Sequence, residues 1–194
     1  MKLLLFGGTF DPPHKGHINL LKAAVAAVRP DKVLVMPAGI PPHKAASATP
    51  GEIRMEMCSC FKSCHPNVEI SGWEIARGGK SYTVNTLEML REQYPQAELY
   101  LSVGSDMLTT FTTWRSWQHI LQLAVLVVQS RSPGDEAELE QAAKQLEQEG
   151  GKIMFTTAPA VEMASSDIRC GGAGDEMLPE CVIEIAEKYH LYGR

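Results

Sequence analysis

Leu3-Leu4-Leu5-Phe6-Gly7-Gly8-Thr9-Phe10-Asp11-Pro12-Pro13-His14-Lys15-Gly16-His17, followed by the amphipathic run from Ile18 to Val28, sets an apolar strand, a glycine turn and a helix start in direct succession. This is where an α/β protein holds phosphate. A helix N-terminus presents unpaired backbone N–H groups and about half a positive charge, and glycines let an anion reach that backbone without a side chain intervening. His14 and His17 are spaced to project from one helix face toward whatever occupies the turn. A plainer reading, a tight turn whose histidines only cap a helix, accounts less well for glycines, Asp-Pro-Pro and paired histidines in one strand-to-helix junction.

Working outward, apolar runs at 2–6, 32–36, 67–71, 98–103, 125–129 and 152–156 alternate with helical periodicity at 17–28, 51–64, 83–93, 115–123, 135–149 and 179–190. That alternation implies parallel βαβ units wound into a doubly wound, Rossmann-like α/β sheet, a three-layer sandwich. Pro30-Asp31 is expected to stop the first helix, Pro133-Gly134-Asp135 to open the fifth, Gly150-Gly151 to close it, and Leu178-Pro179 to start the last. The Glu-, Gln-, Lys- and Ala-rich segment 135–149 reads as a solvated surface helix.

Ligands of such sheets bind beyond the carboxyl ends of the strands, where strand order reverses. Every residue of chemical interest follows a predicted strand: Gly7 to His17, Pro37 to Lys44, Gly104-Ser105-Asp106, and Ser165-Ser166-Asp167-Ile168-Arg169. Four clusters at one sheet end predict one site. The loop at 38–50, rich in Pro, Ala and Ser, is expected to be able to close over a ligand.

Composition narrows the class. At 194 residues the chain is expected to form one domain, 1–194, and its net charge of −5 argues against a nucleic-acid binder that works through bulk positive field. The apolar run at 3–6 ends at Gly7, short of a secretory h-region, and no stretch approaches the roughly 20 apolar residues of a membrane span. A cytoplasmic protein without membrane or nucleic-acid partners is the expectation, and self-association as a homo-oligomer is left open.

The five cysteines are too few and odd in number for a disulfide framework. Cys58, Cys60, Cys64 and His65 raise a metal site, but with Ile53, Met57 and Phe61 the pair Cys60 and Cys64 falls on one apolar face while Cys58 points elsewhere. Buried reduced cysteines are the better reading, and no resident metal ligands are expected. His65, His119 and His190 fall outside the clusters.

The later glycine of G-x-G-x-x-G is missing, and no Gly-Lys-Ser/Thr closes a P-loop. What remains, a Gly-Gly-Thr turn ending in His-x-Gly-His, resembles the signature of the HxGH nucleotidyltransferase superfamily. Pro41-Pro42-His43-Lys44, Ser81-Tyr82-Thr83 running into Thr86-Leu87, Gly104-Ser105-Asp106 with Trp114 downstream, Arg131 after the fifth strand, and Ser165 to Arg169 occur in the order of one branch, the bacterial nicotinate mononucleotide (deamido-NMN) adenylyltransferases. The resemblance spans essentially the whole chain. It implies an enzyme of NAD biosynthesis that joins ATP and nicotinate mononucleotide into nicotinate adenine dinucleotide and releases pyrophosphate, with Mg²⁺ accompanying ATP.

The resemblance also implies roles. His14 and His17 are the catalytic pair. Gly7, Gly8, Thr9, Phe10, Gly16, Gly104, Ser105, Arg131, Ser165, Ser166, Ile168 and Arg169 fall to ATP, with Ser166 and Arg169 clasping the leaving phosphates. His43, Lys44, Tyr82, Thr83, Thr86, Asp106 and Trp114 fall to the mononucleotide. Within that set Trp114 stacks on the pyridine ring, Asp106 accepts from ribose hydroxyls, and Thr83 and Thr86 cap a helix that faces the nicotinate carboxylate. Trp117 is assigned to the core, and Lys15 and Asn85 to solvent.

Such chemistry needs no strong base, because the attacking phosphate is already ionised, so positioning and charge stabilisation suffice. Met163-Ala164-Ser165 stands where the family commonly carries Ile-Ser-Ser, and Cys170 to Glu176 lacks the basic residues expected there. The competing readings are a sister adenylyltransferase using amidated NMN or phosphopantetheine, and a catalytically weak nucleotide-binding sensor.

Overall fold

The computed structural model describes residues 1–42, 46–129, 136–159, 161, 163–171 and 174–194. Six parallel strands, β1 (Lys2–Gly8), β2 (Lys32–Pro37), β3 (Val68–Ile70), β4 (Glu98–Gly104), β5 (Ala124–Gln129) and β6 (Ile153–Phe155), form one sheet in the order β3-β2-β1-β4-β5-β6. The connections carry α1 (Lys15–Val28), α2 (Gly51–Met57), α3 (Trp73–Arg77), α4 (Thr83–Gln93), α5 (Ser105–Thr109), α6 (Trp117–Leu123) and α7 (Glu136–Gln148), and α8 (Ser165–Arg169) and α9 (Glu180–Lys188) follow β6.

Period-two alternation gives the sheet two buried faces. Leu3, Leu5, Leu99, Leu101, Val103, Leu126 and Val128 pack with Leu87 and Leu90 of α4, Ile120 and Leu121 of α6, and Leu139 and Leu146 of α7. Leu4, Phe6, Val33, Val35, Tyr100 and Val127 pack with Leu21, Ala24 and Val28 of α1 and with Val182 and Ile185 of α9. The doubly wound three-layer class read from the alternation is the architecture found.

Strand β1 runs two residues past the predicted apolar stretch, because Gly7 and Gly8 continue the pairing with Met36 and Pro37. The helix expected over 51–64 is instead α2 followed by a 3-10 turn at Cys58–Ser63. Tightening to three residues per turn changes which cysteine faces inward. Contrary to the expectation that Cys60 and Cys64 face inward and Cys58 elsewhere, Cys58 is fully buried, Cys60 nearly so, and Cys64 only partly. Burial pushes the thiols of Cys58, Cys60 and Cys64 up, which leaves them poor nucleophiles. The short helices α3 and α5 carry too few residues for a periodic signal, whereas α8 stands where the spacing of Ser166 and Arg169 places a helix start.

The order places β1 and β4 side by side, with β2 and β3 on one flank and β5 and β6 on the other. Connections leaving β1 and β4 therefore diverge, which opens a crevice at their carboxyl ends. The Gly7–His17 turn and the Gly104-Ser105 turn flank it.

Candidate active site

The site begins at the start of α1. His14 is the N-cap, with extended backbone at φ −140°, and its Nδ1 accepts the backbone N–H of His17 at 3.3 Å. His17 reciprocates, its Nδ1 accepting the N–H of His14 at 3.3 Å. The pair is a capping box made of imidazoles, and the rings stack with centroids 3.7 Å apart. Because each Nδ1 is an acceptor, the proton of each neutral ring resides on Nε2, so both rings are set as Nε2–H donors. Gly16 permits this stacking: a Cβ there would lie 3.0 Å from the His14 ring and 3.0 Å from the carbonyl oxygen of Val161.

A cleft at this helix start is lined by His14, Gly16, His17, Leu20, Gly104, Gln129, Val161 and Met163. It thus joins the turn after β1 and the carboxyl ends of β4 and β5 with the segment leading into α8. Gln129 Nε2 donates to the carbonyl of Ala158 at 3.0 Å, and Asn19 Nδ2 to that of Pro159 at 2.7 Å, which fixes the segment beside Val161 against α1. Sequence reading missed Leu20, Gln129 and Asn19, since none carries chemistry of its own. An open depression along α7, lined by Ala137, Glu140, Gln141, Lys144, Gln145 and Gln148, is a groove in one solvated helix face and gathers no convergent groups.

The α8 corner meets the turn before His14 directly. Ser165 Oγ donates to the carbonyl of Pro12 at 2.9 Å, and Arg169 Nη1 donates to the carbonyl of Asp11 at 2.7 Å. Ser166 and the Arg169 side chain remain on the exposed side of α8, whereas Ile168 is buried among Leu21, Phe61 and Leu178. Its side chain is a core residue, so its backbone is the part of it that can meet a ligand. The Phe10 side chain is a core residue too. It is fully buried, stacked on Phe6 at 5.4 Å and edge-on to His17 at 5.2 Å, so it shapes the histidine ledge from beneath. Gly8 makes room for it, since a Cβ there would come within 2.7 Å of the Phe10 ring.

Beneath the turn lies a polar assembly that sequence reading did not find. The Asp11 carboxylate, on a residue 3% exposed, accepts from Ser47 Oγ, Thr49 Oγ1 and Tyr192 Oη, each at 2.6 Å. Burial alone would raise this carboxyl, but the three hydroxyls and the nearby Arg169 charge outweigh it and hold the group below its ordinary value. Arg54, 3% exposed, donates through Nη1 to the carbonyls of Thr9 and Ala38, both at 2.7 Å, and through Nε to that of Thr49 at 3.2 Å. A Ser, Thr, Arg and Tyr scattered from 47 to 192 leave no local pattern that could have betrayed this convergence.

The groups read as the mononucleotide end lie after β3 and β4. Trp114 is partly buried, packed against the core and on Phe111 at 5.0 Å, and Trp117 packs on the same core as expected. Tyr82 N-caps α4 without a side-chain cap bond, so the threonine cap expected there does not form. Thr86 is 1% exposed, and its hydroxyl donates to Glu74 Oε1 at 2.5 Å. Thr86 is therefore a buried structural donor, while Thr83 stays partly exposed in the first turn. Burial raises the Glu74 carboxyl, and the Thr86 and Ser81 hydroxyls offset only part of that.

Arg115 lies over the Tyr82 ring at 4.7 Å, a cation beside Trp114 that was not anticipated. Ser105 is buried and Asp106 exposed in the first turn of α5. Lys15, assigned to solvent, is exposed but donates to the carbonyl of Glu176 at 2.5 Å. His65, His119 and His190 lie away from the cleft, His119 paired with Glu88 at 3.3 Å. His43, Lys44 and Arg131, together with Pro133-Gly134-Asp135, lie outside the described residues.

Comparisons with known proteins agree with one another. A family model described as "Cytidylyltransferase-like" matches residues 5–171. A protein of Acidithiobacillus ferrooxidans named "Probable nicotinate-nucleotide adenylyltransferase" is 36% identical, over 98% of this chain and 95% of its own length. One of the same name from Clostridium tetani is 34% identical, over 98% of each. Among solved structures, a Plasmodium falciparum nicotinic acid mononucleotide adenylyltransferase complexed with NaAD superimposes with a TM-score of 0.77, at 15% identity, over 98% of this chain and 97% of that one. At that identity the match speaks for the fold.

Proposed function

The chain belongs to the cytidylyltransferase-like family and, within it, to the nicotinate-nucleotide adenylyltransferases, and on that premise we propose that the cleft binds ATP beside nicotinate mononucleotide and makes nicotinate adenine dinucleotide. The ionised phosphate of the mononucleotide attacks the α-phosphorus of ATP. A P–O bond forms there as the bond to the β-phosphate oxygen breaks, and pyrophosphate leaves.

Neither step needs a protein nucleophile, so the enzyme's task is alignment and charge stabilisation, and well-oriented reactants recover about 7–11 kcal/mol of barrier by alignment alone. The observation that carries this reading is the imidazole capping box at the start of α1, with both Nδ1 atoms engaged by backbone N–H. It sets two Nε2–H donors beside a helix N-terminus, where an anion is expected.

In this reading His14 and His17 donate to the α- and β-phosphates, and the turn at Gly7, Gly8 and Thr9 offers backbone to the nucleotide. Ser165, Ser166 and Arg169 hold the departing pyrophosphate. A guanidinium has five N–H donors, so Arg169 can keep Asp11 and still grip an anion. Gly104 and Ser105 close the far wall of the nucleotide half, and Arg131 is assigned to it from the family pattern alone. Trp114 stacks on the pyridine ring and Asp106 receives ribose hydroxyls, while Tyr82, Thr83, His43 and Lys44 complete the acceptor half. Thr86 supports that half from inside the core.

Mg²⁺ enters as part of the ATP substrate and neutralises charge on its phosphate oxygens. Among the described residues no three His, Cys, Asp or Glu side chains are grouped to hold an ion. We place the reaction in the cytoplasm, in a single domain. No helix among the described residues is long and apolar enough to cross a membrane.

Acceptor exchange in a pyrophosphate-release assay tests the assignment. Turnover with nicotinate mononucleotide should exceed turnover with its amide and with phosphopantetheine. Faster turnover with the amide would reassign the acceptor, and ATP binding without pyrophosphate release from any acceptor would make the chain a sensor.

A further inference from the structure

Asp11 stands three residues before His14 and is gripped at both ends: its carbonyl by Arg169, its carboxylate by Ser47, Thr49 and Tyr192. Tyr192 is the most distant of these in sequence. It lies beyond α9 and reaches back to the turn after β1, with its hydroxyl 2.6 Å from Asp11 Oδ1 and 3.4 Å from Thr49 Oγ1. Its backbone sits at φ 57°, in the left-handed region that bulky residues rarely adopt and that persists only where surrounding contacts enforce it. Those contacts are present. The ring packs into the core beside α9, and Arg194 pairs with Asp175 just beyond it.

A hydroxyl placed at such conformational cost, on a carboxylate that anchors the histidine turn, points past general stabilisation. We infer that Tyr192 is a positioning residue for phosphoryl transfer: through Asp11 it fixes the height of the His14–His17 pair and, through the Asp11 carbonyl, the approach of Arg169 to the same phosphates. It touches neither substrate. The inference rests on the reading of the cleft given above.

Three routes reach one carboxylate, so removal of one leaves the turn folded but looser. The effect belongs in turnover, because misplacement of catalytic groups by about 1 Å costs up to about a hundredfold. Tyr189 supplies a matched control. Its hydroxyl donates to Glu56 at 3.0 Å on the surface, so Tyr189→Phe removes a tyrosine hydroxyl beside the same helix without touching Asp11.

The full chain is compared as parent, Tyr192→Phe, Tyr189→Phe, Ser47→Ala, Asp11→Ala and Asp11→Ala with Tyr192→Phe. Each is measured for thermal unfolding, for kcat and both KM values in pyrophosphate release, and for the NMR signals of the His14 and His17 imidazoles without substrate. Tyr192→Phe should remain folded, lose about tenfold in kcat, keep KM for the mononucleotide within about twofold, and shift both imidazole signals. Ser47→Ala should act in the same direction, and Tyr192→Phe should add nothing once Asp11→Ala has removed the acceptor.

Kinetics and imidazole signals of Tyr192→Phe indistinguishable from those of Tyr189→Phe would overturn the inference. So would a loss of activity that merely follows the fraction unfolded. Should the parent fail to use the nicotinate acceptor, the assigned reaction falls, yet the imidazole signals still decide whether Tyr192 sets the histidine pair.

Discussion

His14 and His17 cap each other: each imidazole Nδ1 takes the other residue's backbone N–H at 3.3 Å, and the rings lie 3.7 Å apart. One pair of side chains therefore builds the end of α1 and presents its donors to the cleft, so structural and catalytic losses should separate on mutation. His17→Ala should lower kcat by about a hundredfold or more, as loss of a transition-state donor does, with little change in KM for ATP. Loss of the cap should cost about 1 kcal/mol, lowering Tm by about 2–4 °C. Steady-state kinetics beside thermal unfolding check both, and a change confined to KM would contradict the donor role.

Trp114→Ala should raise KM for the mononucleotide about tenfold, since base–aromatic stacking contributes about 1–3 kcal/mol, and should leave ATP binding nearly intact. Trp114 also packs on Phe111, so the variant will lose some stability. Trp114→Phe, which keeps a ring, should recover most of both. An effect on ATP alone would move Trp114 to the other substrate.

Arg54 holds three carbonyls from three stretches of chain while it is itself buried. Arg54→Met fills the space but leaves those oxygens without donors, and each orphaned buried group costs about 1–3 kcal/mol. A loss on the order of 3 kcal/mol in urea unfolding is expected, and Arg54→Lys should restore little, because one ammonium cannot reproduce the planar fork. Full rescue by lysine would show that charge, rather than geometry, is what the junction needs.

Asp11 and Glu74 should oppose each other in the pH dependence of stability. The Asp11 carboxyl is held low, so its contribution is complete above the ordinary aspartate value near 3.9 and disappears as pH falls below that through the folded value. The Glu74 carboxyl is held high, so its contribution is complete below the ordinary glutamate value near 4.3 and is lost as pH rises through the folded value. In urea midpoints measured across this range, Asp11→Asn should flatten the acid limb and Glu74→Gln the limb above it. A Glu74→Gln curve parallel to the parent's would mean that Glu74 titrates normally.

What the sequence disclosed and what it withheld follow one physical division. Leu3 to His17 packs strand, turn and helix start into consecutive residues, and the period-two runs specify sheet faces locally, so the fold and the histidine ledge were readable. Asp11 was visible only as part of a motif. Its carboxylate partners Ser47, Thr49 and Tyr192 come together through the parallel sheet, and nothing local marks them. Thr86 misled for a related reason. A threonine near a helix start looks like a cap, but the helix phase turns this one inward to Glu74. Ile168 likewise belongs to a nucleotide motif by position and to the core by burial.

Arg54 grips main-chain oxygens of Thr9 and Ala38 and asks nothing of their side chains. The joint beneath the histidine ledge is thus indifferent to which amino acids stand at those two places, provided the chain keeps its path. Evolution, or a protein engineer, can rewrite residues 9 and 38 to tune what the nucleotide meets while the hinge pin below stays untouched.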